Sequence, residues 1–413
     1  MDIVDGPRVY QHKRAMGTAS TLAIGTANPS NVMLQSDFPD FYFRVTNSDH
    51  IKEELKDGFR RICQKSAIRK RHLYIDEALL GANPEMTTYG GPSLDKRKDI
   101  ISAKIPELGA AAAAAALKEW GRPVEDITHL IVGCNSGGSD QPGADYQVAR
   151  LLGLSLSASR LGVYHQGCVV GASTLRLAKD LAENNAGARV LAVLVEVSII
   201  AFRGADGLAT QAFIADGASA VVVGAADSAA AAGEGSERPL FEIVCSRQLT
   251  VPGTGDAMRG LIREAGLTIS LVREGPSMFA SNLEAALRGL LGGSVTDGDW
   301  TALFWAMHYP GGRLILDKVE TALGLELVKM RASREVLAEY GNMGSASVWF
   351  TLDGMRRWSA ANGCGTAGEG CHWCVLCGFG SGLTLDLVLL RAARLAALIH
   401  ANHYTKLHQS TTR

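Results

Sequence analysis

The chain has 413 residues, 47% of them hydrophobic and 20% charged, with a formal net charge of −1. That length supports a large buried core and points to two domains or one large duplicated one. The near-neutral balance gives no electrostatic reason to expect a nucleic-acid partner.

Along the chain, strand-like apolar runs alternate with helical patterns, which reads as an α/β protein with buried strands. The N-terminal MDIVDGPRVYQHKRAMG has two early acids and no apolar core of signal-peptide type, so cytoplasmic residence with reduced thiols is expected. GAAAAAAALKEWG (109–121) is a strong helix former. HLIVGCNS (129–136), RVLAVLVEVS (189–198) and ASAVVVGAA (218–226) read as strands. Between the first two, CVVGASTLRLAKDLAENNAG spaces Val169, Leu175, Ala178 and Leu181 for a helix ending before Gly187. DSAAAAGEGSERP (227–239) lacks large apolar residues and reads as a linker or surface loop. It separates an N-terminal half (23–238) from a C-terminal half (239–392), flanked by tails at 1–22 and 393–413. LFEIVCS (240–246), ALFWAMH (302–308), WCVLCGFG (373–380) and LTLDLVLL (383–390) are the later strands. Beyond them Asp386, Arg391 and Arg394 interrupt the apolar C-terminal stretch, so no membrane span is expected there.

GCHWCVLCGFGSG (370–382) sets Cys371, Cys374 and Cys377 at C-x-x-C-x-x-C spacing, with Cys364 upstream. A ferredoxin run would need a fourth cysteine followed by proline, and none follows. Zinc could recruit Cys364 or His372. On a strand, however, residues three apart face opposite ways, and Val375-Leu376 makes a poor turn. The reading adopted is packing thiols and no metal.

Cys168 lies between a short extended segment and a helix start, where unpaired N–H groups favour a thiolate. Lowering a thiol pKa by two units takes about 2.7 kcal/mol, of which a helix end supplies part and an imidazolium could supply the rest. His308 ends an apolar strand before Pro-Gly-Gly, and Asn342 follows a glycine ahead of a helix. Singly, these read as structural residues. Together, Cys, His and Asn make a recognisable set.

With AIGTANPSN, FPDFYFRVTNSDH, PGADYQVARLLGL, QGC, YGNMGSASV and GFGSGLTLD, the sequence resembles the type III polyketide synthases of plants, the chalcone and stilbene synthase family. The resemblance runs from about Ala23 to Leu390 and implies a thiolase-like duplicated αβαβα fold. It implies Cys168 as the nucleophile that carries the acyl chain, with His308 and Asn342 holding the malonyl thioester carbonyl. The implied partners are malonyl-CoA, an acyl-CoA starter and a second copy of the chain, and no cofactor is implied beyond these CoA thioesters. Arg61 and Lys65 match CoA-phosphate contacts, whereas Gly58 replaces a third cation. The pocket would be lined by Asn135, Ser136, Ala201, Ile214, Gly260, Ile269 and Gly344, with Gly378, Phe379 and Gly380 at the cyclisation cavity.

Several positions depart from the family. Ile214 and Ile269 replace gate phenylalanines, Asn135 and Ala201 replace threonines, and Gly344 replaces a serine. Ser381 replaces a proline, and Gln141 a methionine that reaches the partner's cavity. About five residues are missing between Phe202 and Asp216, and Tyr309 is an extra residue after His308. These changes imply a wide gate that takes bulky starters and gives pyrones or short polyketides. Two other readings compete: a catalytically weak homologue serving as dimer partner or scaffold, and a ketoacyl synthase III-like condensing enzyme.

Overall fold

The computed structural model describes residues 13–48, 51–88, 90–138, 140–204, 208–226, 237–292, 299–309 and 312–395. The first half carries strands β1 (Ala19–Ala27), β2 (Val32–Leu34), β3 (Lys70–His72), β4 (His129–Cys134), β5 (Ser159–Tyr164), β6 (Arg189–Glu196) and β7 (Gly217–Ala225). The second carries β8 (Phe241–Thr250), β9 (Met258–Arg263), β10 (Gly266–Leu271), β11 (Leu303–Met307), β12 (Trp373–Gly380) and β13 (Thr384–Ala392). The helices are α1 (Phe38–Val45), α2 (Glu53–Lys65), α3 (Glu77–Ala82), α4 (Leu94–Trp120), α5 (Ala144–Leu152), α6 (Val170–Asn184) and α7 (Leu208–Gln211). They continue with α8 (Gly275–Leu291), α9 (Arg313–Leu323), α10 (Arg331–Tyr340) and α11 (Ser347–Ala361).

Nine strands join in the order β11-β12-β13-β8-β1-β7-β6-β4-β5. The order reads the same way outward from its centre. β1-β7-β6-β4 and β8-β13-β12-β11 each run first, last, penultimate and fourth strand of their half. Each has two antiparallel pairings followed by a parallel one. This is the internal duplication that the resemblance implies, and no short sequence repeat announces it. β1 and β8 stitch the halves together through only Ser20↔Glu242 and Thr21↔Phe241.

Helices α6 and α11 form the central layer. α6 packs on β6 and β7 of one half and on β12 and β13 of the other, while α11 packs on β7 and β11. α4 covers the outer face of the first half and α8 that of the second, with α9 packed on α8. Strands with helices on both sides have no solvent face, which is why β6 and β7 read as unbroken apolar runs. In β6, Val190, Ala192 and Leu194 belong to the core around the central layer, and Leu191, Val193 and Val195 to the core under α4.

The alanine run turns out to be only the second part of α4, which begins at Leu94 and continues through Pro106. By length and composition α4 could cross a bilayer, but it lies on β1, β6 and β7. A Cβ at Gly25 of β1 would come within 2.3 Å of the Ala112 carbonyl oxygen, so alanine and glycine here bring helix and strand into close contact. β1, the short β2–β3 pair and the β9–β10 hairpin are elements that the strand reading missed, while the short extended segment before Cys168 is the edge strand β5. Most of the expected linker, residues 227–236, lies outside the described residues. Its end is anchored: Glu237 accepts from Trp120 Nε1 at 2.8 Å and from Arg189 Nε at 2.8 Å.

Candidate active site

After β5 the chain turns through His165 (φ 58°) and Gly167 (φ 78°), then presents Cys168 just ahead of α6. Gly167 N–H donates to Asn135 Oδ1 at 2.9 Å. A Cβ on Gly167 would sit 2.7 Å from Ser381 Oγ, so both the backbone conformation and the space demand glycine. The end of β12 presses on the same turn. Added Cβ atoms on Gly378 and Gly380 would lie 2.9 Å from Ala172 Cβ and from Val169 N. Strand alternation sends Phe379 the other way, against Phe279 of α8 at 4.6 Å between ring centroids. Of the three residues expected at the cyclisation cavity, Gly378 and Gly380 therefore face the nucleophile turn, and Phe379 belongs to the outer core.

Glu196, at the end of β6, is a site residue that the sequence reading missed. Its buried carboxylate accepts from Asn135 Nδ2 (2.6 Å), Ser136 Oγ (2.9 Å), Ser345 Oγ (2.6 Å) and Asn135 N–H (3.2 Å). Gly344 lies against its side chain. Burial raises its pKa, against the hydrogen bonds of Ser345, Ser136 and Asn135. The available signal was an acid closing an apolar strand. Asn135 thus joins Glu196 to the backbone just before the nucleophile.

His308 follows β11, and its N–H donates to the Cys377 carbonyl at 3.0 Å. The ring is fully buried, and neither Nδ1 nor Nε2 has a partner among the described residues. Such orphaned buried nitrogens in a native site call for a ligand or reacting group. Burial lowers the imidazole pKa to about 3 and raises that of the half-buried Cys168 thiol to about 12, the Glu196 charge adding to the second effect. A helix end therefore does not suffice to ionise Cys168. Burial thus favours the neutral form of each group.

Asn342 is held by its backbone. Its N–H donates to the Phe213 carbonyl and its carbonyl accepts from Ala215 N–H, both at 2.8 Å. Its Oδ1 accepts from Gly344 N–H at 2.9 Å, while Nδ2 donates to no group among the described residues. Gly341 just before it (φ 70°) lies on buried Arg71, where a Cβ would come within 2.7 Å of Cγ. Arg71 Nη1 donates to the carbonyls of Gln211 (2.9 Å) and Ile214 (2.7 Å), which fixes the gate segment beside Asn342.

Three close approaches gather these residues at one end of the central layer. A Cβ on Gly171 of α6 would lie 2.6 Å from the Ser345 carbonyl, three residues after Asn342. Gly378, on the start of α6, follows the Cys377 that holds His308. Ala201 is buried nearby in sequence to Glu196, and its carbonyl accepts from Gln211 Nε2 at 2.9 Å. Gly260 and Ile269 pair across the β9–β10 hairpin, where a Cβ on Gly260 would meet only Leu267. Arg203 ties the hairpin to the body through Thr268 Oγ1 (2.8 Å) and the Leu267 carbonyl.

Arg61 and Lys65 lie one turn apart on the exposed face of α2, with no ion-pair partner among the described residues, whereas Asp40, Glu53 and Asp57 hold Arg60. A cavity of about 370 Å³ between α2 and the start of α9 is lined by Gly58, Arg61, Lys65, Phe213, Arg313 and Leu314. Arg313 is a cation at this mouth that the sequence reading missed, and Asp317 pairs with it at 3.1 Å. In the cysteine-rich stretch, Cys374 Sγ contacts Met355 Sδ of α11 at 3.7 Å, and Cys371 Sγ lies 3.6 Å from Lys329 Nζ. Among the described residues, no three potential metal ligands cluster.

The two like α/β halves, with a cysteine, a histidine and an asparagine carried on the segments where they meet, define a protein of thiolase-like fold. The chain matches the family model "Chalcone and stilbene synthases, N-terminal domain" over residues 7–227 and the corresponding C-terminal domain over residues 242–394. It belongs to the chalcone and stilbene synthase family, the type III polyketide synthases.

The sign of the burial effects gives a pH prediction. Burial raises the pKa of the Cys168 thiol, and in His308→Ala no imidazole is left to take its proton. Its alkylation by iodoacetamide, followed by mass spectrometry, should rise about tenfold per pH unit from 7 to 10. The wild-type rate should exceed that of the variant at least a hundredfold at pH 7. Equal rates in the two proteins would remove His308 from the ionisation of Cys168.

Proposed function

We propose that the protein condenses malonyl-CoA with a bulky acyl-CoA starter carried on Cys168, then cyclises or releases the product. The observation that carries this reading is a pair of unused donors, the His308 ring and Asn342 Nδ2, beside a cysteine at a helix start. His308 takes the Cys168 proton as sulfur attacks the starter thioester. The tetrahedral intermediate collapses to acyl-Cys168, and CoA leaves as the thiol with that proton. Malonyl-CoA then binds with its thioester oxygen towards His308 and Asn342. Loss of carbon dioxide leaves the bonding pair as an enolate whose charge falls on that oxygen. Each well-placed donor there is worth about 2.7–4 kcal/mol. The enolate carbon attacks acyl-Cys168, a carbon–carbon bond forms, and the thiolate is freed. Decarboxylation itself generates the carbanion, so this cycle calls on no cofactor beyond the CoA thioesters.

Cytoplasmic residence fits the eight free cysteines. Isoleucines at 214 and 269 support a preference for bulky starters. The test is product analysis with p-coumaroyl-CoA and longer acyl-CoAs plus malonyl-CoA, expected to give mainly pyrones or short polyketides. Chalcone as the dominant product would overturn the specificity, and no acylation of Cys168 by any starter would overturn the function. Asn342→Ala should cut malonyl-CoA decarboxylation about a hundredfold while Cys168 still accepts a starter.

CoA phosphates are assigned to Arg61 and Lys65, with Arg313 supplying the charge that Gly58 does not. Arg313→Ala should raise KM for CoA substrates about fivefold at low salt with kcat unchanged, the gap shrinking as ionic strength rises. An unchanged KM at every salt concentration would exclude Arg313 from binding.

A homodimer is proposed through the edge of the first half. β5 ends the sheet with one unpaired side, and Tyr146, Leu151, Leu156 and Leu161 expose apolar surface on and around it. Leu161→Asp should shift the protein from dimer to monomer in light scattering. A variant that stays dimeric would place the interface elsewhere.

A further inference from the structure

Tyr309 is fully buried directly after His308, and the chemistry above assigns it nothing. Its ring stacks on the imidazole, 5.8 Å between centroids and 23° between planes. Neither His308 ring nitrogen has a hydrogen-bond partner among the described residues, so the stacked ring is the contact there that orients the imidazole. The phenolic hydroxyl donates to the Gly341 carbonyl at 3.4 Å, and the Ser347 hydroxyl neighbours it as well. Ser347 Oγ in turn accepts from Met343 N–H at 3.2 Å. The residues on both sides of Asn342 are thus tied to one pair of hydroxyls. A third tie runs through the turn. The Tyr309 carbonyl accepts from Gly312 N–H at 2.9 Å, and Gly312 packs on Phe213, whose carbonyl receives the Asn342 N–H.

We propose that Tyr309 is a positioning residue that braces the His308–Asn342 donor pair, its ring setting the imidazole and its hydroxyl the asparagine. The proposal rests on reading those two side chains as the donors to the malonyl thioester. Donor placement matters because displacement by about 1 Å can cost on the order of a hundredfold in rate.

The two functions of Tyr309 separate by substitution. Tyr309→Phe keeps the ring and removes the hydroxyl. It should lower malonyl-CoA decarboxylation about tenfold and leave Cys168 alkylation by iodoacetamide at pH 7 within twofold of wild type. Tyr309→Leu removes both and should lower both rates about tenfold. Thermal unfolding of each variant is measured alongside. Equal loss of the two half-reactions in Tyr309→Phe, in step with a lowered Tm, would reduce Tyr309 to a core residue and overturn the proposal. Unchanged rates in Tyr309→Leu would overturn it as well. Wild-type protein that fails to decarboxylate malonyl-CoA would instead sink the functional reading. The alkylation rate of Tyr309→Leu would then still decide whether the ring sets His308.

Discussion

The structure depends on the contact of backbone with backbone where the two halves meet. The start of α6 lies so close to the Ser345 carbonyl and the end of β12 that Gly171, Gly378 and Gly380 have no room for a Cβ. This approach does more than pack a core. It sets Cys168, from the first half, beside His308 and Asn342, from the second. Each central helix is enclosed by both half-sheets, so neither half alone can complete the site. β1 and β8 share few pairings, which leaves α6 and α11 as the main junction between the halves.

Burial at that junction governs the electrostatics. Without compensation, it holds the Cys168 thiol and the His308 imidazole in their neutral forms. Glu196 adds a carboxyl group that pairs with no cation among the described residues and that amide and hydroxyl donors surround. Such a group is tolerated because its acceptors are filled.

The departures from the family fall in structural groups. Asn135 spans Glu196 and the turn before the nucleophile, using its amide nitrogen for one and its oxygen for the other. A threonine would have to make both bonds from one oxygen, whereas asparagine spans the two partners with two atoms. Tyr309 enters the space between His308 and the Asn342 segment without being left over. Gly58 opens the cavity mouth on α2, and Arg313 stands across from it on α9. The gate segment carries Ile214 and is shorter than expected from the family. It remains fixed by Arg71 and by pairing with Asn342.

The sequence by itself determined the buried strands, because helices on both faces demand uninterrupted apolar runs such as those of β6, β7 and β12. It also determined the helix after Cys168 and, through motifs, the family. Alternation along a strand assigned Cys374 and Cys377 to different faces. Other features were decided only by the tertiary structure. The symmetry of the half-sheets lies in strand order, which no local pattern records. α4 starts ahead of its alanines because amphipathic contact with the sheet, rather than propensity, sets its extent. Glu196, Arg313 and Tyr309 looked ordinary in sequence. Their roles come from partners far along the chain: Ser345 for Glu196, α2 for Arg313, Gly341 and Ser347 for Tyr309. A side chain's chemistry follows from its neighbours, and only folding brings such distant neighbours together.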